Sequence, residues 1–218
     1  MQSYNTFQLM LKRVLTLALV ILLSGWNMHN LPETYNGKLR ITEKSKLSIE
    51  GSSNVNEFTC NCLTDFPPIP FEISWEDESG LLRSFRNTQI SLPIANLDCG
   101  NKMMNKDLRQ ALNADKYPFI TINLVQSLEN DCTSWQRLNS WVQLKALVEI
   151  ELNGCTNSYW LPVMASRQGE NSYRFISNKV LKMTDFGVEP PTALLGMVKV
   201  NNEIKISLDL VIDVIDYY

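Results

Sequence analysis

Apolar and polar residues alternate with a period of two along two long stretches of this chain. From Val142 to Leu152 the even positions are Val142, Leu144, Ala146, Val148, Ile150 and Leu152. Gln143, Lys145, Glu149 and Glu151 take the other face, with Leu147 the one apolar exception. Ile204, Ile206, Leu208, Leu210, Ile212 and Val214 alternate in the same way with Glu203, Lys205, Ser207, Asp209 and Asp213. Successive strand side chains point to opposite faces, so both runs read as strands with one dry side and one wet side. Their length suits a tall, curved antiparallel sheet.

Shorter runs extend the pattern. Residues 46–51, 55–63, 69–75, 88–94, 119–128, 159–165 and 172–180 read as further strands, bounded by turn residues. Asn153-Gly154 is a hairpin signal joining the long strand to its return partner. Residues 196–200, a turn at Asn201-Asn202 and residues 203–216 are expected to form a closing hairpin. Met104, Leu108, Ala111 and Leu112 lie at helical spacing and predict one short helix, ending before Lys116-Tyr117-Pro118. The expected fold is all-β: a single antiparallel up-and-down β-barrel of about eight strands, which removes sheet edges, with one short helix. Eight such strands enclose an interior wide enough to hold one small ligand. The rival is a barrel packed solid, which inward-pointing Trp75, Trp141 and Trp160 would favour.

The ends of the chain read differently. Lys12 and Arg13 precede an apolar run over residues 14–23 and the small residues Ser24 and Gly25, the layout of a secretory signal. Leu23 makes a poor cleavage site, so residues 1–25 are expected to be a signal peptide or an N-terminal anchor. No Cys follows to carry a lipoprotein anchor. Residues 26–41 read as a linker, with Pro32 and Gly37, and residues 42–216 as the barrel domain. Without residues 1–25 the chain holds 18 Lys and Arg against 23 Asp and Glu. No basic stripe is present, which argues against nucleic acid as a partner.

Candidate chemistry is sparse. The sole histidine, His29, lies in the linker, so the barrel lacks an imidazole for general-base work, a nucleophile pair or zinc. Asp185-Phe186-Gly187 matches a kinase motif by letters, without the other kinase motifs. Five cysteines, Cys60, Cys62, Cys99, Cys132 and Cys155, suggest disulfides in an exported protein and leave at least one without an intrachain partner. Cys60 and Cys62 would stand about 6.7 Å apart on an extended strand, at the limit of disulfide reach. A Cys-x-Cys metal site is the rival, without a third ligand in support. The chain is expected to be no enzyme and to carry no metal or cofactor.

Three segments together carry a resemblance to a known family. Leu47-Ser48-Ile49-Glu50-Gly51-Ser52-Ser53-Asn54-Val55-Asn56-Glu57-Phe58 is similar to its opening strand motif. Leu97-Asp98-Cys99-Gly100-Asn101-Lys102-Met103-Met104-Asn105, running to Ala111-Leu112 and Lys116-Tyr117-Pro118, resembles its helical segment. Thr184-Asp185-Phe186-Gly187-Val188, with Pro190-Pro191 and Gly196, resembles its C-terminal signature. Together they resemble the YceI-like polyisoprenoid-binding family, and the resemblance implies a lipocalin-like barrel in the bacterial periplasm that holds an isoprenoid or similar amphiphilic lipid. Cys60 to Cys99 is the preferred disulfide, because both lie inside family-like motifs. A polar excursion at 129–140 and Cys62, Cys132 and Cys155 depart from the pattern.

On barrel topology and resemblance together, Phe58, Leu92, Met104, Leu108, Phe119 and Phe186 are the expected hydrocarbon contacts. Ser53, Asn54 and Asn56 are the expected polar rim, although turn residues of this kind also serve simply to stabilise turns. Membrane contact would come through an uncleaved N-terminus, and pairing of two copies into a homodimer is compatible with this layout. The alternative function is an envelope interaction module with a filled barrel; a cysteine enzyme ranks third.

Overall fold

The computed structural model describes residues 34–77, 79–129, 140–193 and 197–217, all within the unit Pro32–Tyr218. The signal segment, His29, Cys132, Gly196 and most of the 129–140 excursion lie outside the described residues. In chain order the elements are β1 (Thr34–Ile41), β2 (Lys46–Ser53), β3 (Glu57–Cys62), β4 (Ile69–Trp75), β5 (Leu82–Arg86), β6 (Gln89–Pro93) and β7 (Leu97–Asp98). Helix α1 (Lys102–Ala111) follows, then β8 (Phe119–Glu129), β9 (Val142–Leu152), β10 (Cys155–Arg167), β11 (Ser172–Lys182), β12 (Thr192–Ala193) and β13 (Val198–Tyr217).

Eight strands close an antiparallel ring in the order β1-β4-β5-β8-β9-β10-β11-β13, with β13 pairing back to β1. β8 to β11 run up and down in sequence order, and β9 has the bounds its alternation predicts. Asn153 and Gly154 both take positive φ, 53° and 74°, the backbone a two-residue hairpin turn demands. Hairpin β2–β3 pairs with the N-terminal half of β13, while β1 pairs with its C-terminal half. β5 and β6 divide β8 in the same way. β13 and β8 therefore each change partner along their length.

Two expectations are corrected. Residues 34–41, read as the end of a linker, form β1, bonded to β4 on one side and β13 on the other. Gly37 disguised the strand: an added Cβ there would lie 2.3 Å from the Asp216 carbonyl oxygen and 2.6 Å from Phe71 Cζ. The strand crossing needs the missing side chain. Gly37→Ala is expected to cost about 1–3 kcal/mol through overpacking, read as a lower thermal midpoint. The second correction concerns Asn201-Asn202, which is no turn. β13 runs on for 20 residues, and its register against β2 shifts between Val200 and Ile204. The two side chains serve neighbours instead: Asn201 Nδ2 donates to Ser52 Oγ, and Asn202 binds the backbone and hydroxyl of Thr184.

On the outer surface Arg174 Nε and Nη2 donate to the two carboxylate oxygens of Asp209, each at 2.7 Å, joining β11 to β13. This fork holds the Asp209 carboxyl below its usual range, against the opposing pull of partial burial. A carboxylate depressed in the folded state stabilises above its unfolded pKa, about 3.9, and that contribution disappears as pH falls through the folded value. Asp209→Asn should therefore flatten the acid limb. Urea midpoints measured at pH steps below about 4 should fall less steeply in the variant than in the wild type.

Candidate functional site: the barrel interior

Phase decides what faces inward. Leu144, Ala146, Val148, Ile150 and Leu152 on β9 are buried, as are Leu161, Val163 and Ala165 on β10 and Ile120 and Ile122 on β8. Their neighbours face out. Trp141 and Trp160 are exposed, and Trp160 is level with the outward Leu147. Neither fills the barrel, whereas Trp75 is half-buried and stands in register with Arg83 on the inward face.

The end nearest α1 is plugged. Ile94, Leu97, Leu112, Phe186 and Val188 are buried there among β8 and β9 residues. Asn101 starts the helix, its side chain accepting from the backbone N–H of Met103 and Met104. Asn105 Nδ2 then donates to Asp98, and its Oδ1 accepts from the backbone N–H of Cys99. The Cys60–Cys99 disulfide ties this segment to β3, joining the pair expected from the resemblance. Cys62 and Cys155 carry free thiols, and burial pushes the Cys62 thiol pKa up.

A second plug element lies where β10 and β11 part. Their pairing stops at Val163–Ser177, next to Pro162, which has no N–H to bond with. The 3-10 turn Met183–Phe186 fills the gap. Asn157 Nδ2 holds the Asp185 carbonyl at 2.8 Å, and Asn153 Nδ2 holds that of Phe186 at 3.1 Å. Tyr159 donates its hydroxyl to Asp185; burial, then the Asp185 charge, raise the phenol's pKa.

Above the plug, packing loosens. Ile206, Leu208 and Leu210 on β13 and Phe175 on β11 are only half-buried against the core. A cavity of about 10 Å³ sits between Ile206 and Leu208 on one side and Ile122, Ile150 and Leu161 on the other, with Ser177 and Lys179 at its edge. That is room for about one water. The open tube expected from the strand count is not present at this level, because an eight-stranded ring is narrow enough for its own side chains to nearly meet.

The other end carries charge. Arg83 on β5 pairs with Glu129 on β8, their side chains 12% and 1% exposed. The Arg83 guanidinium lies 5.6 Å from the Trp75 ring centre, and Trp75 packs edge-on against Tyr35. A register shift between Leu124 and Gln126 turns Ser127 and Glu129 inward, opposite the buried Ala146 and Leu144. Sequence reading missed this group, since uninterrupted alternation puts Gln126 and Leu128 on the dry face.

The residues expected to touch hydrocarbon are not all placed alike. Leu92 and Phe186 are buried in the packed core, and Leu108 packs half-buried against it. Met104 is half-buried on α1. Phe58 is half-buried and lies over Gly51, sharing the face of Cys60. Phe119 is corrected: it is 49% exposed on the outer surface, because Ile120 and Ile122 take the inward phase. The residues of the expected polar rim are engaged with one another and with β13. Ser53 Oγ bonds Asn56, and the Asn54 side chain bonds Met197 O and Lys199 N, so all three close the β2–β3 turn onto β13. Among the described residues no group of three or more His, Cys, Asp or Glu is placed to hold a metal.

Comparison with known proteins gives this architecture its relatives. No curated protein matches the chain. A polyisoprenoid binding domain from Saccharophagus degradans, implicated in plant cell wall breakdown, has a similar fold. It superposes with TM-score 0.57 at 11% identity, covering 83% of this chain and 98% of that one. BcnA of Burkholderia cenocepacia is similar at TM-score 0.49 and 18% identity, covering 77% and 96%. The Campylobacter jejuni YceI protein is similar at TM-score 0.48 and 16% identity, covering 61% and 74%. The YceI-like domain model matches residues 35–212, most of the chain, and the protein belongs to the YceI-like family.

Proposed function

We propose that this protein is a noncatalytic carrier, working in the periplasm, that takes the hydrocarbon chain of a polyisoprenoid or similar amphiphile into its barrel. The observation that carries the reading is the half-buried apolar lining of β11 and β13 around the mid-barrel cavity. A structural relative described as a polyisoprenoid binding domain supports it. Each methylene moved from water into such a lining contributes about 0.8 kcal/mol, so eight or ten give useful affinity. Loading requires Ile206, Leu208 and Phe175 to swing aside, since the cavity as it stands holds only about 10 Å³. The signal-like N-terminus and the disulfide suit an exported protein.

That small cavity also favours the second reading, an envelope interaction module whose barrel stays filled. Native mass spectrometry of protein purified from its host, followed by titration with a polyprenol, separates the two. A carrier shows a copurifying lipid or saturable uptake at one molecule per barrel. A barrel that stays empty and takes up no polyprenol ends the carrier reading.

A further inference from the structure

We propose that Arg83, Ser127 and Glu129 form a head-group site for an amphiphile whose head is an uncharged hydroxyl or carbonyl. The inference rests on the carrier reading and specifies which lipid the barrel takes.

Ser127 stands in register with Arg83 on one side and Ala146 on the other, and all three face the interior. Its Oγ is buried and has no hydrogen-bond partner, although the residue is only 6% exposed. Buried hydroxyls are nearly always bonded, so this one is placed to bond a polar atom brought beside the charged pair. Arg83 offers five N–H donors in a plane, and its guanidinium is oriented against Trp75.

The partner charge sets the chemistry. With Glu129 paired to it, Arg83 presents no net positive charge inside the barrel. A phosphate or diphosphate brought to Ser127 would meet the Glu129 carboxylate with little water to screen the repulsion. A neutral oxygen meets no such barrier. It can accept from Arg83, and as a hydroxyl it can exchange a bond with Ser127. From the level of Glu129 to that of Ile150 is six residues along β9, roughly 20 Å. A tail leaving this head therefore runs past the half-buried β11 and β13 side chains to the mid-barrel cavity.

The test measures binding of a polyprenol and of its monophosphate, with identical tails, to full-length wild type, Ser127→Ala and Glu129→Gln. Wild type should bind the alcohol about tenfold more tightly than the phosphate. Ser127→Ala should lose about tenfold in affinity for the alcohol, the worth of one hydrogen bond, while its melting temperature holds or rises. Glu129→Gln should shift preference toward the phosphate. If that variant does not fold, Ser127→Ala decides alone. Unchanged alcohol binding by Ser127→Ala, or tighter phosphate binding by wild type, overturns the site while leaving the carrier reading intact. Failure of wild type to take up either compound removes the carrier reading, and this site with it.

Discussion

Phe186→Ala is expected to destabilise the protein by about 3–5 kcal/mol, the range for removing a fully buried aromatic ring. Phe186 is 1% exposed and ends the 3-10 turn that seals the gap between β10 and β11. The turn hangs on two asparagine side chains, so it has little freedom to close over the space left behind. Denaturant unfolding of the purified variant checks the figure. The same experiment separates two roles for Phe186. Truncation of a plug residue lowers the unfolding midpoint whether or not lipid is present. Truncation of a ligand contact would leave the midpoint of the lipid-free protein nearly unchanged and lower affinity instead. A cost below about 1 kcal/mol would contradict its placement in the plug.

Replacing Cys60 and Cys99 together with alanine is expected to cost about 2–5 kcal/mol. The bond closes a loop with a sequence separation of 39, and that loop contains β4 to β7. It also fixes the chain just ahead of α1, whose Leu108 packs on the core. The loss should therefore be felt first at the plug, as faster amide exchange and earlier proteolysis over residues 97–112 than over β9. Replacing both residues avoids leaving a buried thiol free to pair with Cys62. A variant as stable as wild type, with unchanged exchange around α1, would show that the disulfide constrains little.

Much of the barrel was legible from local pattern. The run from Val142 to Leu152 needs no tertiary information, because six apolar residues in phase can be buried only by turning one face inward. Asn153-Gly154 likewise declares its turn through backbone conformations that few other pairs adopt without strain. The failures are equally specific. Gly37 broke the pattern of β1, yet it is required where Phe71 and the Asp216 carbonyl approach the backbone. Asn201-Asn202 looks like a turn in isolation and is drawn straight by bonds to Ser52 and Thr184. The ring of Phe119 suggests an inward contact, but the inward phase of Ile120 and Ile122 turns it outward. Ser53, Asn54 and Asn56 have turn chemistry, and the structure uses them for a turn.

The sequence alone determined the class of fold, the strands with a clean period of two, helix α1 and the motifs shared with a family, since each depends on neighbours a few residues apart. Only the tertiary structure decided that β1 closes the ring, that one end is plugged while the lining of β11 and β13 stays half-buried, and that Arg83, Ser127 and Glu129 meet inside. Closure and packing depend on contacts between residues far apart in the chain. The inward turn of Ser127 and Glu129 depends on a one-residue shift of β8 against β9. Such a shift reverses every side chain beyond it, and it exists only once the two strands are paired.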